Sequence, residues 1–334
     1  MRNSHVAAWA ATLIACASTP VWSATSSLKL SGSLDMGLRV TTSDDSRRLR
    51  TVSGGRSSSY IALSGVEELG GGWRTSFTLQ TLFNMGNGKL LLDGQRFNGE
   101  ASVGLEGPYG ELRLGRQAVM GGQWGSLDAG FDGGWGGAGD LVMPAGYGDT
   151  GYAALVDNSV FYFSPKLGSF SLAGGYSFGV RDNDDEKKRR RDHLFTAGVQ
   201  YANGPWSAAL TLDGLLPRDK ETRHPTRNYQ ATVAYEPDGY AVSIGVGRLY
   251  GISRGVAAKK GYWHAYTLGG RIDVGGAGKL RMALQYGPVL HFYSVATGYQ
   301  YDLSKRTSLY AYVIRRFGGP FARELLTVGM RHRF

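Results

Sequence analysis

The feature that most constrains the fold is an alternation of apolar and polar residues that recurs in many short segments. From residue 28 to residue 40 the even positions are apolar or glycine, whereas the odd positions, such as Lys29 and Arg39, are mainly polar. Successive side chains of a β-strand point to opposite faces, so this period of two predicts a strand with one apolar and one hydrated face. The pattern returns at residues 73–80, 195–201, 228–235, 280–286 and 326–334.

Sixteen strand candidates can be placed along the chain, and their connections alternate in length. The candidates begin near residues 28, 58, 72, 95, 109, 157, 168, 193, 205, 226, 239, 261, 278, 292, 306 and 321. Turns rich in Gly, Pro, Asn and Asp follow every second candidate. The other gaps are long, at residues 41–57, 83–94, 118–156, 180–192, 215–225 and 250–260. Short turns on one side and long loops on the other predict an all-β fold, a 16-stranded antiparallel transmembrane β-barrel with a polar interior.

The N-terminal segment predicts export. Arg2 precedes an apolar stretch at residues 6–17, and small residues follow up to Ala24. This pattern is typical of a cleaved signal peptide, so we expect a signal at 1–24 and the barrel at 25–334. The only cysteine, Cys16, also fits a lipoprotein cleavage box, which leaves lipid attachment open. A mature chain without cysteine has no disulfide framework and no thiol nucleophile.

Charge and motif content bear on partners and cofactors. The formal net charge is +10. In an exported chain, this surplus fits a basic lumen or acidic lipopolysaccharide better than nucleic acid. No His-x-x-x-His spacing occurs in the sequence, so we expect no metal site and no cofactor.

The connection at residues 118–156 is far longer than an ordinary loop, which makes it functional or disordered. Either it is a mobile external loop, or it folds into the barrel and narrows the channel that sixteen strands leave. We predict the inward-folded arrangement. Its two tryptophans either pack the loop against the wall or form a stacking track for sugars or aromatics. Its aspartates and tryptophans are Asp128, Asp132, Asp140, Asp149, Trp124 and Trp135.

Six stretches, taken in chain order, resemble the trimeric general porins of β-proteobacteria, in the Gram-negative porin superfamily. They cover the first strand, its turn, the strand pair before the long loop, the strand after it, a late turn and the last strand. These stretches are SGSLDMGL at 31–38, SGVEELGGG at 64–72, residues 103–117, residues 158–165, residues 303–310 and VGMRHRF at 328–334.

The resemblance implies a homotrimer in the outer membrane of a Gram-negative cell and a constriction loop at 118–156. The loop aspartates would face a basic wall, which carries over to the inward-parity residues Arg39, Arg74 and Arg113. A position that is often basic in the family is Phe161 here. The terminal Phe334 would anchor the last strand at the membrane interface, and the resemblance implies that the barrel assembly machinery reads this end.

The function expected from the pattern and the resemblance is passive diffusion of ions and small hydrophilic solutes, without catalysis. Basic residues outnumber acidic ones on the inward parity, so we expect a modest anion preference. One alternative is a substrate-specific channel for sugars or aromatics. Another is a barrel enzyme, because residues 175–179 and 251–255 match Gly-x-Ser-x-Gly, although His193, His224 and His291 form no matched constellation. The charged run at 184–191 is either a solvated loop tip or a contact with lipopolysaccharide phosphates.

Overall fold

The chain forms one antiparallel sheet that closes on itself. The computed structural model describes residues 26–43, 46–91, 95–125, 130–131, 155–180, 192–217, 225–251, 261–318 and 323–334, without the side chains of Trp263 and Leu290. Seventeen strands pair in sequence, and the pairing of the first with the last closes the barrel. Closure leaves no sheet edge, which a strand structure inside a lipid bilayer requires.

The strand bounds agree with the predicted positions over most of the chain. The first nine strands are β1 (Ser26–Ser43), β2 (Ser46–Ser53), β3 (Ser59–Gly70), β4 (Trp73–Phe83), β5 (Ala101–Gly107), β6 (Gly110–Ala118), β7 (Leu155–Phe163), β8 (Phe170–Ser177) and β9 (His193–Asn203). The remaining eight are β10 (Trp206–Leu216), β11 (Thr226–Tyr235), β12 (Tyr240–Tyr250), β13 (Tyr262–Val274), β14 (Gly278–Gly287), β15 (Phe292–Asp302), β16 (Thr307–Phe317) and β17 (Arg323–Arg333). A short helix α1 (Met120–Gln123) and a 3-10 turn (Pro288–Leu290) complete the described elements.

Seventeen segments make sixteen barrel strands because β2 and β3 occupy one position. The first half of β1 pairs with β3, and its second half pairs with β2. The prediction of a loop at 41–57 is therefore wrong, because most of this segment belongs to the hairpin that β1 and β2 form. Both faces of β2 are largely exposed, so the strand lacks the apolar alternation by which the others were found.

The strand predicted to begin near residue 95 begins later, at Ala101. Before it, the side chain of Asn98 takes the place of backbone pairing beside β4. Its Oδ1 accepts from the Leu82 N–H at 2.6 Å, and its Nδ2 donates to the Leu82 carbonyl at 2.9 Å. A side chain that satisfies the neighbouring backbone in this way interrupts the ladder without orphaning a polar group.

The two faces of the strands have the predicted polarity. On β14 the outward residues Leu280, Met282 and Leu284 are 40% to 54% exposed, whereas the inward Arg281 and Gln285 are 3% exposed. Outward aromatic rings lie near both ends of the strands, as expected for a barrel in a bilayer. None of the helices among the described residues is long and apolar enough to cross a membrane.

Candidate pore constriction

The beginning of the long connection after β6 lies inside the barrel, against β9 and β10. Val119 and Met120 are fully buried. The N–H of Met120 donates to the Thr196 hydroxyl at 2.8 Å, and the N–H of Gly121 donates to Asp213 Oδ1 at 3.3 Å. The Thr196 hydroxyl donates to the same Asp213 oxygen at 2.6 Å. Buried backbone donors need such partners, so two polar side chains of the wall fix the first turn of the loop.

A second described part of the loop contacts a different part of the wall. Phe131 is fully buried and meets the Tyr312 ring edge to face, at 6.4 Å between centroids. Arg281 on β14 donates from Nη1 to the Gly130 carbonyl at 3.0 Å. Gly298 on β15 leaves room for the Phe131 ring, because a Cβ there would lie 3.3 Å from Phe131 Cε1. The two described parts of the loop thus lie inside the barrel, one against β9 and β10 and the other against β14–β16, and the predicted inward fold is confirmed.

Trp124 and Phe161 show how the loop is seated. Trp124 packs edge to face on Phe163, at 6.4 Å between centroids, and covers Gly198, where a Cβ would lie 2.8 Å from Trp124 Cε3. This contact favours packing over a stacking track as the role of Trp124. Phe161 is fully buried and points inward, where it belongs to the apolar cluster at the start of the loop. Its ring fills the space above Gly175.

A second inward feature is the turn at residues 54–58, called the seam turn because it separates β2 from β3 beside β1. Asp35 of β1 is fully buried and accepts from the N–H groups of three successive seam-turn residues, at 3.0, 3.2 and 3.0 Å. The Tyr310 hydroxyl also donates to Asp35, at 2.6 Å. Hydrogen bonds to an ionised acceptor are stronger than neutral ones, so Asp35 holds the seam turn inside the barrel.

Tyr312 joins the seam turn to the constriction loop. Its hydroxyl donates to the Gly55 carbonyl at 2.7 Å and accepts from Arg39 Nη2 at 2.7 Å. Arg39 also donates from Nε to Thr327 Oγ1 at 2.9 Å. The Tyr312 ring also packs on Phe131 of the loop. The side chain of Tyr312 on β16 therefore contacts the seam turn, the constriction loop and Arg39, which is one of the predicted basic residues.

The three arginines predicted to form the basic wall face the interior in different surroundings. The described hydrogen bonds of Arg39 go to neutral hydroxyls. Arg74, next to the β3–β4 turn, donates to Glu106 at 2.6 and 2.8 Å. Arg113 donates to both oxygens of Glu111, at 2.9 and 2.7 Å. The charges of Arg74 and Arg113 are therefore compensated by neighbouring carboxylates, and the structure places Arg74 at the turn end of β4 rather than beside the loop.

Two further inward arginines lie on β2, in the segment 41–57 that the sequence pattern predicted to be a loop. Arg50 on β2 is the direct cross-strand partner of Arg39, and Arg48 is the partner of Thr41. Directly opposed residues of antiparallel strands share a face, and like charges there disfavour pairing. Arg48 and Arg50 thus continue the basic side of the wall towards the extracellular rim, at a cost to strand pairing. Their spacing of two was the sequence signal that could have revealed them.

An ion pair at the base of the loop was also missed. Arg116 on β6 pairs with Asp157 on β7, and both side chains are 9% exposed. Arg116 also donates to the carbonyls of Asn98 and Gly99. The resemblance implied a basic residue on β7, whereas the basic residue, Arg116, lies on the preceding strand, β6. Simple alternation from the inward Arg113 would place Arg116 on the outer face, and the register shift between Gly115 and Gln117 brings it inside instead.

Several predicted residues lie outside the described part of the chain. Their roles, including the acidic side of the constriction and the signal peptide, stay predictions. These residues are Asp128, Asp132, Asp140, Asp149, Trp135 and the segment 1–24.

The C-terminal residue completes the pairing that closes the barrel. The N–H of Phe334 donates to the Gly32 carbonyl at 3.1 Å, and the Gly32 N–H donates to the Phe334 carbonyl at 3.0 Å. The Phe334 ring lies over Gly32, where a Cβ would contact it at 2.5 Å. The terminal aromatic ring thus covers the junction of β1 with the chain end.

The serine patterns do not form a nucleophilic site in the described residues. Ser177 is fully buried on β8, and its hydroxyl donates to the Asp157 carbonyl at 2.6 Å. His193 stacks on Tyr176. Because Tyr176 directly precedes Ser177 on β8, its side chain and the stacked His193 lie on the face of the strand opposite to Ser177. A nucleophile and its base must lie within hydrogen-bond reach. Residues 252–260, which contain most of the second pattern, and His224 lie outside the described part.

Comparison with known proteins agrees with this geometry. The model of the Gram-negative porin family matches residues 8–316. An outer membrane porin protein of Bordetella pertussis is 28% identical over 352 residues, covering 90% of each chain. Outer membrane porin protein 32 of Delftia acidovorans is 31% identical over 314 residues, covering 86% of this chain and 83% of that protein.

Solved structures show the same architecture. The anion-selective porin from Comamonas acidovorans superimposes with a TM-score of 0.72 at 25% identity, covering 93% of this chain and 100% of that one. OmpT of Vibrio cholerae shares the fold, with a TM-score of 0.64 at 13% identity. With a sixteen-stranded barrel, an inward-folded loop and matches along most of its length, this chain belongs to the Gram-negative porin family and is an outer-membrane channel.

Proposed function

We propose that this porin passes small hydrophilic solutes and ions by passive diffusion and prefers anions. The observation that carries the preference is the cross-strand pair of Arg39 and Arg50, which continues to Arg48 at the rim. No acidic side chain of the described residues forms an ion pair with these three arginines. A row of one charge sign in a low-dielectric tube attracts counter-ions and raises their local concentration.

The opposite side of the constriction would be acidic. The aspartates predicted on the loop, with Asp140 near its middle, would face Arg39 across the lumen and create a transverse field that orients water and dipolar solutes. The likeness to an anion-selective porin supports a net preference for anions across this field. The substrate-specific alternative lacks comparable support, because Trp124 packs on the wall.

Assembly and export follow from the same proposal. The chain would be exported with cleavage of the segment 1–24 and would form a homotrimer in the outer membrane, in contact with lipid and lipopolysaccharide. The barrel assembly machinery would read the exposed C-terminal strand before Phe334 pairs with Gly32. Cross-linking of the membrane-embedded protein tests the trimer: a ladder ending at three subunits is expected, and a monomer at all cross-linker concentrations would contradict it.

Reversal potentials across a KCl gradient test the anion preference. The wild type should favour chloride, and Arg39→Gln combined with Arg50→Gln should shift the reversal potential towards zero. Arg315→Gln is the control, because it removes a positive charge from an outward side chain that lies over Phe317, and it should leave the reversal potential unchanged. Chloride preference that is unchanged in the double variant, or cation preference in the wild type, would overturn the proposal.

A further inference from the structure

The outer face of β9–β12 carries a groove that solute passage does not use. Its volume is about 470 Å³. Small outward residues, Ala197 and Ala231, lie between larger neighbours and create the depression. The outward side chains that line it are otherwise apolar or aromatic: Val199, Leu210, Leu212, Tyr229 and Val246. A depression of this kind on a membrane-facing wall has the shape and polarity of a seat for an acyl chain.

One cation borders this groove. Arg248 lines it and faces outward on β12, two residues before the extracellular end of the strand. Its guanidinium lies 4.6 Å from the centroid of the Tyr250 ring and 5.6 Å from that of Tyr262. Charged side chains on the lipid face are unfavourable except near the interfaces. Ring contacts hold the face of a guanidinium and leave its N–H edges available to an anion.

A second arginine lies close by on the same face. Arg227 on β11 is the cross-strand partner of Tyr250, and Arg248 is the partner of Tyr229. The two arginines are therefore diagonal neighbours, about 7–8 Å apart. The direct cross-strand partner of Arg248 on β13 is His264, which therefore lies on the same outer face. The ion pairs of the described residues include neither Arg227 nor Arg248, so no described carboxylate compensates the charge of the patch.

We propose that this patch and groove bind one phosphorylated glycolipid of the outer leaflet, the lipid A part of lipopolysaccharide. A phosphate would accept charge-assisted hydrogen bonds from Arg227 and Arg248, and one acyl chain would lie along the groove over Ala231. Two neighbouring cations at the height of the head groups, above an apolar groove, match an amphiphile with its anionic group at the interface. The site is separate from the pore and does not depend on its ion preference.

Lipid binding to the full, folded, delipidated protein in detergent tests the assignment, with native mass spectrometry as the readout. The probes are bis-phosphorylated lipid A, its dephosphorylated form and phosphatidylglycerol. The wild type should bind bis-phosphorylated lipid A about tenfold or more tightly than the dephosphorylated form. Arg227→Gln combined with Arg248→Gln should remove the difference in affinity between the two forms of lipid A. Ala231→Leu, which fills the groove, should weaken the binding of all three lipids.

The matched control is Arg306→Gln, which removes one positive charge at the opposite rim, in the β15–β16 turn. It should leave lipid A binding unchanged. Equal binding of the phosphorylated and dephosphorylated forms, or unchanged binding by the double variant, would overturn the assignment. Equally tight binding of phosphatidylglycerol would overturn the choice of glycolipid. Dissociation of the oligomer by the double variant, without a change in lipid binding, would assign the patch to a subunit contact instead.

Discussion

At the scale of single residues, Asp35 has a role that its position in the sequence does not suggest. A carboxylate on the inner wall of a pore would ordinarily count as a solvated charge. Here it is fully buried and accepts three N–H groups of the seam turn and the Tyr310 hydroxyl. Asp35 therefore stabilises the seam turn and does not act as a solvated charge that contributes to the electric field in the lumen.

Asp35→Asn should lower the free energy of unfolding by about 1–3 kcal/mol, because the amide cannot replace the charged acceptor for all four donors. Urea unfolding in detergent, followed by tryptophan fluorescence, measures this change. Asp273→Asn is the control, since Asp273 lies at the rim with 38% of its side chain exposed, beside Arg271. The control should cost less than about 1 kcal/mol, and an equal loss in both variants would contradict the role of Asp35.

Residue parity predicted Arg39 correctly on the inner face, but it could not say which arginines keep an uncompensated charge. Arg74 and Arg113 share that parity and are bound to Glu106 and Glu111. Each of these carboxylates belongs to a neighbouring strand or to the same strand two residues away, so the compensation depends on register. Register between distant strands is not written in a local alternation pattern.

At the scale of elements, the period of two identified nearly every strand, but it did not predict which inward residues are apolar. On β16 the inward residues include Tyr310, Tyr312 and Ile314, all buried. They are apolar because Phe131 of the constriction loop packs on them. Likewise Phe161 on β7 points inward beneath the start of the loop. An inward apolar residue therefore marks a loop contact, which a pattern of apolar-out residues cannot anticipate.

Phe131→Ala should release residues 130 and 131 of the constriction loop from β14–β16. The ring is fully buried against Tyr312, and removal of a buried phenylalanine costs about 3–5 kcal/mol of local packing. Single-channel recordings should show a higher conductance with more current noise than in the wild type. Phe317→Ala, which removes an outward ring on the same strand, should leave both unchanged. A conductance unaltered by Phe131→Ala would contradict the contact as a determinant of the pore width.

At the scale of the whole molecule, the barrel depends on the meeting of its first and last strands. β1 pairs with β17 over ten residues, and Phe334 extends this pairing to Gly32. The first and last strands of the described barrel are thus adjacent, and the seam turn enters the lumen beside them. Strand number and closure could be predicted from the sequence, because alternation and turn spacing are local. The seam turn could not, because the tyrosines that complete its contacts, Tyr310 and Tyr312, are more than 200 positions away from Asp35 and Gly55.

Gly32→Leu should slow or prevent closure, because a side chain there would displace the Phe334 ring. The fraction of heat-modifiable, folded barrel on a denaturing gel after a fixed refolding time should fall well below that of the wild type. Gly204 is unsuitable as a control position, because its φ of 54° would strain any other residue. Gly174→Leu is better matched, as its Cβ would have 3.6 Å to the nearest atom. Equal yields for both variants would contradict the role of this contact.

The most direct test of the central claim is the conductance of the folded protein in planar bilayers as the KCl concentration is raised. A water-filled pore with a fixed constriction should give a conductance that rises in proportion to bulk salt over most of the range, with a reversal potential that favours chloride. Conductance that saturates at low salt would contradict a general diffusion pore and point to a binding site for one solute class. Absence of conductance from a barrel shown to be folded would contradict the account of the channel itself.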